Sequence, residues 1–316
     1  MLTSVQSGHK EFFLNFYARR MRRILPSALL VTLVTIYAAK KLLGPVVANS
    51  TILDGAWTTI FLGNFHFQHT TLDYFAAGNQ VSPLQHYWSL SIEEQFYLMW
   101  PALFLFLHIR TKSIKNRINF LSIIIALSLF TALYQSTISQ TTIFFASSTR
   151  MWELATGALL AINGKTVHIP RLPVNLGLLA LLISAFIIPQ TMQWPRLTTI
   201  PIVIVSGLLL IRNPECGKSF FLENQLATYI GDLSYILYLW HWPILTIAKS
   251  YCLHFGAAQK LLCIFLALVF SVLTHHLFEN PIRYSQRVAA SVRLNLALGI
   301  SSIAIVAFAL FTTYQG

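Results

Sequence analysis

The sequence predicts an all-α, polytopic integral membrane protein, a bundle of about nine helices that cross a bilayer. Of its 316 residues, 55% are hydrophobic and only 10% are charged, whereas an ordinary soluble domain has about 25% charged residues. Several apolar runs also approach the roughly 20 residues that a helix needs to cross the hydrocarbon core. A soluble core of this size does not need apolar runs of that length with so few charges between them.

Nine apolar segments are long enough, or nearly so, to be predicted spans. In chain order they lie at 24–43, 92–108, 119–138, 149–163, 174–188, 197–211, 228–249, 259–278 and 294–313. The fourth, fifth and sixth are short, which predicts local thinning of the bilayer or buried helix ends. A further apolar patch at 56–67 is too short to span, and we interpret it as a re-entrant or interfacial segment.

The basic residues predict the orientation of these spans. A formal net charge of +12 would suggest nucleic acid in a soluble protein, but in a membrane protein Lys and Arg collect in cytoplasmic loops. With the N-terminus inside, the basic runs at 19–23 and 110–117 both lie on the inner side of the membrane. We therefore expect the N-terminus inside, the C-terminus outside, contact with membrane lipid and no nucleic-acid partner.

Signatures of metal and cofactor sites are missing from the sequence. The three cysteines match no metal-ligand spacing. No Gly-rich phosphate loop, zinc signature or nucleophile elbow occurs. We therefore expect no metal and no permanently bound cofactor.

Four arginines, Arg19, Arg20, Arg22 and Arg23, precede the first predicted span. On a helix, Arg19 and Arg22, or Arg20 and Arg23, share a face at i, i+3 spacing. Such a cluster can fix the orientation of the span and bind lipid headgroups. It can equally grip the phosphates of a cytoplasmic nucleotide-bearing donor, because guanidinium forks match phosphate oxygens.

The stretch SPLQHYWSLSIEEQFYLMWP places polar side chains at the outer mouth of the second predicted span. Its carboxylates, Glu93 and Glu94, suit a solvated helix start, where negative charge favours the helix dipole. They also suit a polar cavity in which a carboxylate orients a hydroxyl or tunes a histidine such as His86. Ser89 would then supply a hydroxyl donor, and Trp88 lies at the depth of an aromatic belt.

Arg150 and Glu153 lie at i, i+3 spacing at the outer end of the fourth predicted span. Arg150 is one of few basic residues expected outside, so topology does not explain it. The two side chains can form a structural ion pair. Alternatively, Arg150 pairs with Glu93 or Glu94 across helices, or binds an anionic group of a substrate.

His241 stands between two tryptophans in the sequence GDLSYILYLWHWPIL, inside the seventh predicted span. A histidine in such a helix is either a packing residue or a catalytic residue, and the sequence leaves both readings open. Pro243 predicts a kink with freed backbone groups nearby.

Five sequence blocks in order resemble the membrane acyltransferase 3 family, the bacterial O-acyltransferases typified by O-antigen acetylases. The resemblance extends from about residue 8 to residue 287. The blocks are FYARRMRRILP, SPLQHYWSLSIEEQFYLMWP, RMWELATGALLA, GDLSYILYLWHWPIL and HHLFENPIRY. Each block alone would be weak, but five in order on a hydrophobic polytopic chain are specific.

The resemblance implies an all-helical protein of the bacterial cytoplasmic (inner) membrane that takes an acyl group, usually acetyl, from cytoplasmic acyl-CoA. The acceptor would be a hydroxyl at the outer side, on a cell-surface glycan such as lipopolysaccharide or on a lipid-linked sugar. Arg19, Arg20, Arg22 and Arg23 would grip the phosphates of CoA. The remaining candidates are Glu93, Glu94, His86 and Arg150 as catalytic residues, with Trp88, Ser89, Glu153 and His241 binding substrate.

The sequence also departs from the family pattern. Family members normally begin with two further helices, and a histidine taken to be catalytic lies on the first of these. No residue of this sequence matches it, so we expect an N-terminally truncated acyltransferase 3-like domain at 1–287. An additional transmembrane helix is expected at 288–316; in one branch of the family such a helix leads to an SGNH-type domain.

Two alternatives to an active enzyme follow from this departure. The chain can be a non-catalytic remnant, or a membrane subunit that binds a partner, such as the missing N-terminal segment or an SGNH-type domain. A transporter is less well supported, because the sequence has no repeated halves and no paired broken helices.

Overall fold

The computed structural model describes residues 9–70, 81–111, 113–138, 140–163, 174–187, 199–210, 223–252, 254–286, 288 and 291–315. This part of the chain is helical and contains no strand, which confirms the predicted all-α class there. The predicted limits of spans at 188, 197–198 and 211, and of domains at 287 and 316, lie outside the described residues.

Thirteen α-helices make up the described chain. They are α1 (His9–Leu42), α2 (Gly44–Thr59), α3 (Gly63–Thr70), α4 (Tyr87–Arg110), α5 (Ile114–Gln135), α6 (Gln140–Phe145), α7 (Met151–Asn163), α8 (Val174–Ile187), α9 (Thr199–Leu210), α10 (Gln225–Tyr251), α11 (Ala257–Thr274), α12 (Asn280–Arg283) and α13 (Val292–Gln315). A 3-10 turn (Ser147–Thr149) precedes α7, and a π-helical turn (His275–Glu279) joins α11 to α12.

Four helical stretches of the described residues are long and apolar enough to cross a membrane. They are Phe13–Leu42, Ile114–Gln135, Ala257–Arg283 and Val292–Tyr314. Shorter apolar segments lie in α7, α8 and α9. Helices α4 and α10 are 24 and 27 residues long, but polar side chains interrupt their apolar surfaces. This pattern is that of a helical membrane protein, and the count of nine spans stays a prediction.

The first helix begins earlier than the first predicted span. The sequence places the span at 24–43, after the arginines, whereas α1 begins at His9 and carries them in its interior. Arginine is a good helix former, and its long aliphatic stem can extend along apolar surface while the charge stays in water. The basic cluster therefore continues the helix instead of preceding it.

The apolar patch at 56–67 is divided between two helices. α2 ends at Thr59 and α3 begins at Gly63, and Phe61 lies between them with a φ of 56°. At the other end of α2, Gly44 has a φ of +79°, a left-handed conformation that favours glycine. With 16 and 8 residues, both helices are shorter than the roughly 20 residues of a comfortable span. The re-entrant or interfacial interpretation stays a prediction.

The chain divides into two compact units. The first is formed by Met1–Phe67, Gly78–Ser91 and Ile230–Gly316, and the second by Gln68–Ala77 and Ile92–Tyr229. Helix α4 therefore begins in the first unit and continues into the second. The division at residue 287 that the sequence suggests stays a prediction.

In the first unit, α1, α2 and α13 pack against one another. Two glycines allow close approach at these contacts. A Cβ at Gly55 would lie 2.5 Å from Cδ1 of Ile36, and one at Gly299 would lie 2.8 Å from Sδ of Met21. Small residues at helix contacts are the usual means of close packing in membranes, where apolar burial between helices gains little over lipid.

In the second unit, α5 and α7 form the main helix pair, and α7 also packs against α9. Ala132 of α5 and Ala155 of α7 are almost completely buried. Small side chains on both helices therefore bring their backbones close, and this holds the residues at the start of α7 in place.

Candidate functional site

A cluster of aromatic and imidazole rings surrounds His86 in the first unit. The side chain of His86 lies just before α4 and is 6% exposed. Its ring centroid is 5.2 Å from that of Tyr238 and 5.6 Å from that of His241. The rings of His86 and His241 are nearly perpendicular, at 77°. The structure therefore brings together two histidines that are 155 positions apart in the sequence.

Backbone contacts fix the segment that carries His86. Nε1 of Trp242, on α10, donates to the carbonyl of Ser82 at 3.0 Å. The N–H of Leu84 donates to the hydroxyl of Ser82 at 3.2 Å. At the start of α4, the hydroxyl of Tyr87 donates to the carbonyl of Ala28 on α1 at 3.0 Å. One hydrogen bond within the turn and two more, to α10 and α1, thus hold the segment before α4.

Tyr238 organises the polar contacts of this ring cluster. Its hydroxyl donates a short hydrogen bond to the carbonyl of His86. Since that hydroxyl has one hydrogen, its 2.7 Å contact with Ser89 means that Ser89 donates to the oxygen of Tyr238. The chain of donors runs from Ser89 through Tyr238 to the backbone of His86. Tyr238 is therefore a positioning residue whose proton is already engaged.

Replacing Tyr238 with phenylalanine is expected to destabilise the protein by about 1–3 kcal/mol. The carbonyl of His86 then keeps only the longer hydrogen bond from the N–H of Ser89, at 3.3 Å, and the hydroxyl of Ser89 loses its acceptor. The melting temperature of the detergent-solubilised variant measures this. Tyr37→Phe is the matched control, since the ring of Tyr37 is 64% exposed. Equal melting temperatures for both variants would contradict the positioning role.

His86 is held in an unusual electrostatic environment. Burial lowers the pKa of His86 well below its ordinary value, and the neighbouring His241 lowers it further. A hydrogen bond to the carbonyl of Leu239 raises the pKa of His86. In a regular helix, residue 243 would donate its N–H to that carbonyl, but Pro243 has no N–H. Even so, neither ring nitrogen of His86 makes a hydrogen bond of ordinary geometry with the described residues.

His241 has a defined hydrogen-bonding state. Its Nδ1 lies 2.6 Å from the carbonyl of Tyr238. A carbonyl only accepts, so Nδ1 carries a hydrogen. In the neutral ring, Nε2 of His241 is then the nitrogen that can accept a proton.

A second site is a basic cavity of about 450 Å³ in the first unit. Its lining residues are Arg19, Arg22, Arg23, Arg283, Tyr284 and Gln286. Three of these arginines lie on α1 at i, i+3 and i, i+4 spacings, so they share a helix face. Arg20 lies about 100° away around the helix and is not among the lining residues.

Arg283 is the arginine of this cavity that was not predicted from the sequence. Its Nη1 lies 3.4 Å from Oε1 of Glu279, whose side chain is 3% exposed. The other carboxylate oxygen of Glu279 lies 3.2 Å from Nδ1 of His275. The guanidinium also lies over the ring of Tyr284, 5.3 Å from its centroid. The π-helical turn thus anchors a fourth arginine in the cavity. Arg283 lines it together with three arginines that are more than 250 residues away in the sequence.

The second unit contains the predicted pair of Arg150 and Glu153. Nη1 of Arg150 lies 3.5 Å from Oε1 of Glu153, so the two side chains form the predicted ion pair. The guanidinium also lies over the ring of Phe144, at 5.3 Å. The alternative pairing of Arg150 with Glu93 or Glu94 stays a prediction. Both glutamates are half-buried on α4, as is Trp88.

Ser128 on α5 positions the segment that carries Arg150. Its hydroxyl donates to the carbonyl of Ser148 at 2.5 Å and accepts from the N–H of Trp152 at 3.0 Å. One buried side chain therefore satisfies backbone groups on both sides of Arg150. This contact supplies a capping partner for the start of α7 that the sequence alone does not reveal.

Replacing Ser128 with alanine is expected to open the segment around Arg150, at a cost of about 1–3 kcal/mol. The N–H of Trp152 loses its partner, and the carbonyl of Ser148 keeps only the longer contact with the hydroxyl of Thr131, at 3.5 Å. Amide hydrogen exchange of a peptide covering 147–153 should accelerate. Ser250→Ala is the control, because the exposed Ser250 bonds only within its own helix. Unchanged exchange in Ser128→Ala would show that the segment is held by other contacts.

A buried carboxylate–imidazole pair was not predicted from the sequence. Oδ1 of Asp54, on α2, lies 2.7 Å from Nε2 of His66, on α3, and the two side chains are 9% and 8% exposed. Trp57 stacks on His66 at 5.7 Å with the ring planes 8° apart. The ring of Phe311, on α13, meets the ring of Trp57 edge to face, with 5.9 Å between their centroids. The spacing of 12 residues across a break between helices matches no local motif.

Comparisons with known proteins agree on one family. The model of the acyltransferase 3 family, an acyltransferase domain, matches residues 1–276. The chain is 26% identical over 267 residues to the peptidoglycan O-acetyltransferase OatA of Listeria monocytogenes, covering 78% of the chain and 42% of that protein. It is 29% identical over 290 residues to the O-acetyltransferase OatA of Staphylococcus aureus, covering 85% and 47%.

The chain spans about half the length of the curated relatives that it matches. No solved structure gives a significant match.

Proposed function

Because the chain belongs to the acyltransferase 3 family, we propose that it transfers an acetyl group from acetyl-CoA to a hydroxyl of a cell-surface glycan. The family assignment rests on a match that covers residues 1–276. Two similar proteins are O-acetyltransferases by name, and one of them is named for peptidoglycan. Peptidoglycan is therefore the first acceptor to test, ahead of lipopolysaccharide and lipid-linked sugars.

The observation that carries the donor assignment is the basic cavity. CoA has a nucleotide with several phosphate groups, and arginine forks bind phosphate oxygens in pairs. Four arginines line one cavity of about 450 Å³, which is within the size range of small-molecule sites. Lipid headgroups also bind basic clusters, but a concave site that gathers Arg283 from the far end of the chain favours a discrete ligand.

The orientation predicted from charge is part of this proposal. With the N-terminus of α1 inside, the cavity opens toward the cytoplasm, where acyl-CoA is made. The ring cluster around His86 then lies further along α1, toward the outer side. This order suits an enzyme that receives its donor inside and its acceptor outside.

The experiment is acetyl transfer in membranes that contain the full chain. Acetyl-CoA labelled in the acetyl group is added with peptidoglycan, lipopolysaccharide or no acceptor. We expect label in the peptidoglycan, released as acetate by mild base because it is held as an ester. Membranes from the same host without the chain are the control.

Two results would count against the proposal. Label that is equal with and without the chain would assign the transfer to the host. A lack of label in every acceptor, with the chain present at normal abundance, would favour a non-catalytic membrane subunit. Label in lipopolysaccharide alone would support the proposed acetyl transfer but with lipopolysaccharide, not peptidoglycan, as the acceptor.

A further inference from the structure

We propose that the basic cavity binds the adenine base of the donor as well as its phosphates. The ring of Tyr284 is the surface on which the base stacks, and the amide of Gln286 pairs with the edge of the base. The assignment rests on the proposed use of acetyl-CoA and deepens it, because it names the part of the donor that separates it from other phosphate compounds.

Two of the six residues that line the cavity are uncharged. The other four are arginines, whose guanidinium forks match phosphate oxygens. Tyr284 and Gln286 lie two positions apart, directly after Arg283. An aromatic ring binds the flat face of a base, and an amide binds the edge of adenine by donating one hydrogen bond and accepting another. Together, these two side chains suit a purine base better than a phosphate.

The ring of Tyr284 has one face available for stacking. The guanidinium of Arg283 lies over the opposite face, 5.3 Å from the ring centroid. Tyr284 is nevertheless 68% exposed, so a planar group can approach it. Stacking tolerates every base, because each base has a flat face. Selection of adenine therefore depends on the edge contact with Gln286.

Arg283 and Tyr284 hold a phosphate-binding group and a stacking surface side by side. In CoA, one ribose joins the adenine to its phosphates, so the two parts need neighbouring partners. Nη1 of Arg283 lies 3.4 Å from Oε1 of Glu279, whose side chain is 3% exposed. The N–H of Tyr284 donates to the carbonyl of Asn280 at 3.0 Å. These two contacts fix both residues at the end of α12.

The arginines of α1 leave positive charge for an anion next to this surface. Arg19, Arg22 and Arg23 form no ion pair with a carboxylate in the part of the chain that the structure describes. Nε of Arg22 is buried and has no hydrogen-bond partner among the same residues. Buried donors nearly always have a partner, and a phosphate in the cavity would supply one.

A lipid headgroup could supply the same phosphate. Basic clusters bind anionic lipids, and tyrosine is common at membrane interfaces. A headgroup such as phosphatidylglycerol has no planar base, however, so it would use the arginines without using the stacking surface. The dependence of binding on Tyr284 therefore distinguishes a nucleotide from a lipid.

The test is equilibrium binding to the purified full chain in bilayer discs of phosphatidylcholine, which has no net charge. The probes are CoA, ADP, IDP and inorganic pyrophosphate, which has phosphates and no base. The wild type should bind ADP about 10-fold more tightly than pyrophosphate, because the base stacks. It should also bind ADP about 10-fold more tightly than IDP, whose base has a carbonyl in place of the amino group that Gln286 accepts from.

The variants separate the base contact from the phosphate contacts. Tyr284→Ala should lower the affinity for ADP and CoA by about 10-fold and leave pyrophosphate unchanged, whereas Tyr284→Phe should bind as the wild type does. Gln286→Ala should lose the preference for ADP over IDP. Arg19→Ala should weaken all four probes. Tyr37→Ala is the matched control, since Tyr37 is 64% exposed and has Nζ of Lys41 over its ring at 5.9 Å.

Three results would overturn parts of this assignment. If Tyr284→Ala binds ADP as tightly as the wild type, the base contact is wrong, and weaker binding by Arg19→Ala would leave the donor cavity in place. If ADP and pyrophosphate bind equally and phosphatidylglycerol in the discs displaces both, the cavity is a headgroup site. If Gln286→Ala keeps the preference for ADP, another group selects the base. Binding that depends on Tyr284 in a chain that transfers no acetyl group would support the nucleotide site and contradict the proposed function.

Discussion

Replacing Arg19 and Arg22 together with alanine is expected to raise KM for acetyl-CoA by about 100-fold, with little change in kcat. Both arginines line the basic cavity from one face of α1. A charge-assisted hydrogen bond contributes about 1.5–3 kcal/mol, and about 1.4 kcal/mol is a tenfold change in affinity. Two such bonds at the lower value give the expected factor.

The effect should fall on KM because the phosphates of the donor are remote from the reacting carbonyl. Contacts of that kind hold the substrate and the transition state equally, so their loss weakens binding without slowing the chemical step. A fall in kcat with unchanged KM would instead place these arginines near the reacting groups.

The measurement is initial transfer rate against acetyl-CoA concentration, in vesicles whose inner face is exposed to the solution. Arg110→Ala is the matched control, an exposed arginine at the end of α4 and outside the cavity lining. Arg22→Lys should give an intermediate KM, because lysine keeps the charge and loses the planar fork. If the double variant has the KM of Arg110→Ala, the cavity does not bind the donor.

The fold class was predictable because its signal is local. Apolar runs and scarce charge are properties of each stretch of sequence, and bilayer thickness converts them into helices. The boundaries were less predictable. The sequence predicts that the arginines at 19–23 flank the first span, whereas they lie in the interior of α1. A helix can extend beyond the apolar layer because the charged ends of its side chains stay in water.

The candidate site was predictable residue by residue but not as an assembly. His86, Ser89 and His241 were singled out from the sequence, and the structure joins them through Tyr238, one of several tyrosines that the sequence does not distinguish. Arg283 joins the cavity in the same way. Contacts between distant segments depend on how helices pack, and no periodicity of a single segment carries that information.

Replacing Asp54 with leucine is expected to destabilise the protein by about 3–5 kcal/mol, because it leaves the buried imidazole of His66 without its carboxylate. The two side chains are 9% and 8% exposed and 2.7 Å apart, so little solvent can replace the lost partner. The melting temperature of the solubilised protein and its abundance in membranes should both fall. Asp232→Leu is the control, since Asp232 is an exposed carboxylate on α10.

The double variant Asp54→Leu, His66→Phe should recover most of that loss. Replacing both members of a buried pair with apolar side chains is often neutral, because no unsatisfied group remains. Phenylalanine can also keep the stacking that Trp57 now provides at 5.7 Å. A double variant that is as unstable as Asp54→Leu would show that the lost stability does not come from the orphaned imidazole.

The double variant also separates structure from chemistry. If it recovers its melting temperature and transfers acetyl at the wild-type rate, the pair serves only to join α2 to α3 beneath Trp57 and Phe311. If it is stable but inactive, the carboxylate–imidazole pair takes part in the reaction. Burial alone does not distinguish these roles, because a structural pair and a catalytic pair both exclude water. Only a variant that restores packing without restoring the proton-binding groups does so.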